Sequence, residues 1–89
     1  MSKHAYAEWE ASVFRDAVRF SVIIGMPRYG RTRLEFASLE DAISEAQQHT
    51  DEHGRTPLVY AITAEGRFVH LSHHEWPALL EAWHARRAR

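Results

Sequence analysis

Val18-Arg19-Phe20-Ser21-Val22-Ile23-Ile24-Gly25-Met26-Pro27-Arg28-Tyr29-Gly30-Arg31-Thr32-Arg33-Leu34-Glu35-Phe36 is the stretch that sets the architecture. Val18, Phe20, Val22 and Ile24 alternate with Arg19 and Ser21, the two-residue period of a strand with one buried face. Ile23 interrupts that alternation, so the strand is expected to be partly covered on both faces and to lie inside a sheet. Met26 to Gly30 reads as a turn, because Pro27 presets its φ and Gly30 tolerates a positive one. Thr32, Leu34 and Phe36 then alternate against Arg31, Arg33 and Glu35. That clean polar face predicts a hairpin partner at the sheet edge.

Toward the C-terminus, Ser38 opens a helix whose first turn carries Glu40 and Asp41, as the positive end of a helix dipole favours. Leu39, Ala42, Ile43 and Ala46 form its apolar stripe, and Gly54 is the expected left-handed cap. Leu58 to Ile62 is apolar at every position, the pattern of a central strand, and Ala64-Glu65-Gly66-Arg67 turns it back into a strand at Phe68 to Leu71. Pro77 is disfavoured deep in a helix started at Ser72, so a short turn at 72–75 and a helix from Trp76 or Pro77 are expected. Toward the N-terminus, Tyr6, Trp9, Val13 and Ala17 share one helical face, predicting a helix over 5–17.

The order predicts an α+β fold: a four-stranded antiparallel sheet of two β-hairpins with three helices, α-β-β-α-β-β-α, as one domain over residues 1–89. Strands 18–25 and 58–63 are expected at the centre, with the helix at 38–53 crossing between strands that run the same way. Ile23, Val59, Ala61 and Thr63 are expected to point away from the face this helix covers. Terminal helices packed on that second face through Trp9, Val13, Leu80 and Trp83 would close a monomer. A bare second face would leave an apolar patch for a partner or a homodimer. The edge strand at 31–36 is a further route to self-pairing, opposed by its charged residues.

A chain of 89 residues supports one small core and little room for a deep pocket. Its net charge of −1 argues against whole-molecule attraction to nucleic acid or an anionic membrane. The absence of cysteine excludes disulfides, thiolate zinc sites and cysteine nucleophiles. The apolar run Val22 to Met26 is far short of a membrane span, and Met1-Ser2-Lys3-His4 followed by Glu8 and Glu10 has no signal-peptide apolar region. A cytoplasmic protein is expected.

Seven histidines are the main compositional anomaly. His49-Thr50-Asp51-Glu52-His53 matches the H-x-x-E-H pattern, which places two imidazoles one helical turn apart beside a carboxylate base. Such enzymes need a third ligand and a large cleft. At the end of a short helix histidine is also favoured by the dipole alone. His70, His73, His74 and Glu75 form a second cluster whose spacing does not enforce convergence. There is no nucleophile elbow, and the four glycines are isolated, so neither enzymatic activity nor a cofactor is expected. Charge is uneven instead. Glu40, Asp41, Glu45, Asp51 and Glu52 give the middle helix an acidic surface without a compensating Lys or Arg. Arg28, Tyr29, Arg31 and Arg33 crowd the first hairpin, the residue types most enriched in binding hot spots. Each set also has an ordinary reading, as a solvated helix face and a soluble hairpin tip.

Phe36-x-Ser38-x-x-x-Ala42-Ile43-x-x-Ala46, followed by Gly54, an apolar strand and Glu65-Gly66-Arg67, resembles short bacterial proteins built on a strand–strand–helix–strand–strand core. The resemblance runs from Phe20 to Leu71 and omits both terminal helices. In size and style the chain also resembles phage and mobile-element products, among them anti-CRISPR inhibitors, which act by occluding a larger complex. The resemblance implies a small non-catalytic inhibitor. The expected function is therefore protein binding. The alternatives are nucleic-acid or phosphate binding through the 27–33 hairpin, and metal binding by histidines.

Overall fold

The computed structural model describes residues 8–26 and 30–87. The elements run α1 (Glu8–Arg15), β1 (Ala17–Met26), β2 (Gly30–Phe36), α2 (Leu39–His53), β3 (Leu58–Thr63), β4 (Phe68–His70), a single 3-10 turn (His73–Glu75) and α3 (Trp76–Arg87). The four strands form one antiparallel sheet in the order β2-β1-β3-β4, so β1 and β3 are central and β2 and β4 are the edges. The fold is the α+β arrangement expected from the hairpin periodicities.

Local chemistry explains the joints. Ser38 Oγ accepts a hydrogen bond from the Asp41 amide at 3.4 Å, capping α2. Gly54 ends α2 at φ 74°, where its amide donates to the Thr50 carbonyl at 2.8 Å. The helix break at Pro77 falls as the sequence predicts, with α3 starting at Trp76. Trp76 is buried and its indole N–H donates to the Leu71 carbonyl at 3.0 Å, fixing the corner between β4 and α3.

All three helices pack on one side of the sheet. Val13 from α1, Leu39, Ala42, Ile43 and Ala46 from α2, and Trp76, Leu79 and Trp83 from α3 share one core with Phe20, Val22, Ile24, Val59, Ala61 and Val69. The Phe20 and Trp83 rings meet edge to face, with centroids 5.3 Å apart. Arg86 lies over the Trp83 ring at 4.6 Å and donates to the carbonyls of Phe14 and Arg15. The terminal arginine that suits its own helix end thus caps the C-terminus of α1 and ties the two terminal helices together.

Three sequence expectations are corrected. First, Ala17 belongs to β1 and not to the first helix. Second, Val18 leaves the core: Ala17 pairs with Thr63 and Arg19 with Ile62, so Val18 is the extra residue of a β-bulge. It is 51% exposed while Ala17, at 4%, takes its place. Third, Val59, Ala61 and Thr63 point toward the helices. Val59 pairs with Val22 and Ala61 with Phe20, whose side chains are in the core, so only Ile23 of the expected set lies on the second face. Val13 and Trp83 cover the same face as α2, and the second face is left bare. The side chain of Trp9 lies outside the described residues.

Phe20→Ala is expected to cost about 3–5 kcal/mol, because a fully buried aromatic leaves a cavity. Val18→Ala, in the same sequence alternation, is expected to cost about 0.5 kcal/mol or less. Urea denaturation of the two variants checks this, and equal losses would contradict the bulge.

Candidate functional site

The bare face is built by the residues that alternate against the core. They are Arg19, Ser21 and Ile23 on β1, Arg31, Arg33 and Glu35 on β2, Leu58, Tyr60 and Ile62 on β3, and Phe68 and His70 on β4. The register puts Ser21 between Glu35 and Tyr60, Ile23 between Arg33 and Leu58, and Tyr60 beside His70. Cations therefore gather over β1 and β2, and aromatic rings over β3 and β4. No helix among the described residues covers either half.

Phe68 is 61% exposed, an unusual position for phenylalanine in a small domain. Its ring meets Tyr60 edge to face at 5.8 Å, and Tyr60 meets His70 at 5.4 Å. Ile62 is buried on this face without a helix above it. On the other half, Glu35 Oε2 accepts from the Ser21 hydroxyl at 3.3 Å. The same carboxylate lies 4.0 Å from Arg19 Nε and 3.9 Å from Arg33 Nη1. One carboxylate thus positions two guanidinium groups and does not cancel the three arginines of the face. Between the halves lies an open depression of about 340 Å³, lined by Arg19, Ser21, Ile23, Arg33, Tyr60 and Phe68 among others. No carboxylate–histidine or nucleophile–base pair lines it. Its composition is aromatic and arginine-rich around a small apolar centre.

The structure separates the residues that the sequence grouped. Arg31 and Arg33 stand on the bare face, whereas Arg28 and Tyr29 lie outside the described residues. Glu40, Asp41, Glu45, Asp51 and Glu52 belong to α2, in the layer on the other side of the sheet. Several are already engaged within the chain. Gln47 donates to Asp51 at 3.1 Å and Gln48 to Glu52 at 3.3 Å, and His84 lies 3.6 Å from Glu40. The basic and acidic candidates are therefore two surfaces and not one. His49 and His53 do come together, with ring centroids 4.4 Å apart. Among the described residues, however, no group of three His, Asp or Glu side chains is arranged to hold a metal ion. No helix there is long and apolar enough to cross a membrane.

Arg19, Tyr60 and Phe68 did not stand out in the sequence, and His70 stood out only as a member of a histidine cluster. Arg19 and Ser21 carried a signal, since polar residues on a central strand mark its solvent face. Tyr60 carried none, because β3 is apolar at both parities, and Phe68 carried none, because it opens the short return strand β4 beside apolar Val69. A Tyr60→Ala and Phe68→Ala double-mutant cycle is expected to give a coupling of about 0.5–1.5 kcal/mol in folding stability. Strict additivity would mean that the two rings do not meet. Comparison with family models, curated proteins and solved structures finds no match for this chain.

Proposed function

We propose that this chain is a non-catalytic protein-binding module that takes an acidic protein surface on the bare face of its sheet. The observation that carries the reading is that three helices share one side of the sheet, leaving Phe68 and Tyr60 uncovered beside Arg19, Arg31 and Arg33. An exposed apolar centre flanked by arginines supplies desolvation at the middle and charge complementarity at the rim. Arg31, Arg33 and Glu35 face solvent on an edge strand, which also suits contact with a larger body. Acting in the cytoplasm by occluding that body, as the resemblance to anti-CRISPR-type inhibitors of phages and mobile elements implies, needs no chemistry and no cofactor.

A second reading has its own support. Tyr60, Phe68 and His70 form a row of rings next to a row of arginines, an arrangement that also stacks bases and grips phosphates of a single strand. The net charge of −1 weighs against it.

Arg33→Glu with Phe68→Ala tests both. A hot-spot pair is expected to weaken partner binding by at least about 30-fold, from the ~2 kcal/mol or more that such residues carry. Circular dichroism should remain native. In a pull-down from host lysate read by mass spectrometry, the wild type should retain a protein that the double variant loses. Retention by both would move the binding surface to the acidic face of α2, with Glu40→Lys and Asp41→Lys as the next variants. A single-stranded oligonucleotide bound with a steep salt dependence, and lost in the same variant, would favour the second reading. Light scattering that shows wild-type dimers, and monomers of the variant, would make the partner a second copy.

A further inference from the structure

The two strands of the first hairpin run past the start of β3. β1 and β2 pair as far as Met26 and Gly30, but β3 begins at Leu58, opposite Ile23. From Ile24 onward β1 has no neighbour on its β3 side, and the sheet has a step there. The end of α2 and the segment after it close the step into a notch of about 240 Å³. Gly25 and Ile23 form its floor, Arg31 and Arg55 its charged walls, and His49 and Thr56 add an imidazole and a hydroxyl. Pro57 and Leu58 form an apolar flank.

The arginines single this notch out. Arg15, Arg19, Arg33 and Arg67 each have a carboxylate within 4.0 Å. Arg86 is bound to the carbonyls of α1. Arg31 and Arg55 have no carboxylate partner among the described residues, and both line the same cavity, in which no described carboxylate takes part. Two guanidinium groups lining one cavity without a described carboxylate make it electropositive, and an anion there is attracted by both. Guanidinium forks match the oxygens of phosphate, and the Thr56 hydroxyl and His49 imidazole offer further donors. The volume lies below the roughly 300–1,000 Å³ of drug-sized sites, which limits the occupant to a small molecule.

We infer that this notch binds a small organic phosphate monoester, the phosphate held between Arg31 and Arg55 and the organic group laid against Leu58 and Pro57. The site does not rest on the protein-binding reading above. The notch lies at the end of the sheet and reaches His49 of α2, whereas Tyr60 and Phe68 line the other depression, with Ile23 common to both.

Phenyl phosphate is the probe, titrated at constant ionic strength and followed by 31P NMR and by thermal melting. The wild type is expected to bind saturably and to gain melting temperature as ligand rises, because the ligand binds only the folded state. Arg55→Gln is expected to weaken binding at least tenfold. Gly25→Leu, at a residue that lines the notch, is expected to weaken binding at least tenfold: a Cβ at Gly25 meets nothing within 4 Å, so the fold accepts a side chain there. The melting temperature of Gly25→Leu without ligand checks that point. Arg67→Gln, at the opposite turn of the sheet, should bind like the wild type. The inference is overturned by any of three results. These are no saturation by about 1 mM phenyl phosphate, equal weakening by Arg67→Gln, which would reduce the effect to long-range charge, or inorganic phosphate binding as tightly as the ester, which would remove the apolar flank from recognition.

Discussion

Phe20 meeting Trp83 is the contact on which the architecture turns. Phe20 is fully buried at the middle of β1, paired on one side with Phe36 and on the other with Ala61. Trp83 arrives from the last helix and closes over it edge to face. Once that ring sits there, α3 is committed to the same side of the sheet as α2. Arg86, one turn further along and stacked on Trp83, draws the end of α1 to that side as well. Among the described residues there is no fourth helix to cover the other face. The concentration of apolar helix surface on one side and the bareness of the other are one constraint seen from two directions.

That constraint shapes the candidate site. A sheet face left to solvent accumulates residues that are amphipathic, because the strand still has to pack laterally while its outer atoms meet water. Arg19, Arg33 and Tyr60 meet both demands. Glu35 holds the arginines in place, and Ser21, buried beneath, supplies a hydrogen bond to that carboxylate. Phe68 meets only the first demand. Its exposure costs hydration free energy that lateral contact with Tyr60 offsets in part, and this is the observation on which the proposed binding face rests. The uneven strand lengths make the second feature, since a hairpin longer than its neighbour leaves a step where Arg31 and Arg55 line one notch without a carboxylate among the described residues.

Much of the fold was legible in the sequence, because it depends on short-range rules. The two-residue periods around Val22 and Leu34, the cap at Ser38, the left-handed glycine at 54 and the helix start imposed by Pro77 each follow from a few neighbouring residues. The centre–edge assignment of the strands followed too, from which strands had a clean polar face. The site was legible only in part. Arg31 and Arg33 were visible as a basic run, but Tyr60 and Phe68 were hidden in segments that read as core.

What the sequence determined by itself was the set of elements, their order and their pairing as hairpins. Tertiary structure alone decided which side of β3 faces inward. Leu58, Tyr60 and Ile62 are as apolar as Val59, Ala61 and Thr63, so periodicity has no preference between them. Packing has one: the small side chains of Val59 and Ala61 let α1 and α2 approach the sheet closely, and the pairing of Ala61 with Phe20 then fixes the whole strand. The same holds for Val18, which alternation assigns to the core. A single residue, Asp16, separates α1 from β1, and the short connection is accommodated by a bulge that turns Val18 outward. Local pattern cannot register such a choice, because it is made by the fit of surfaces that are distant in the chain.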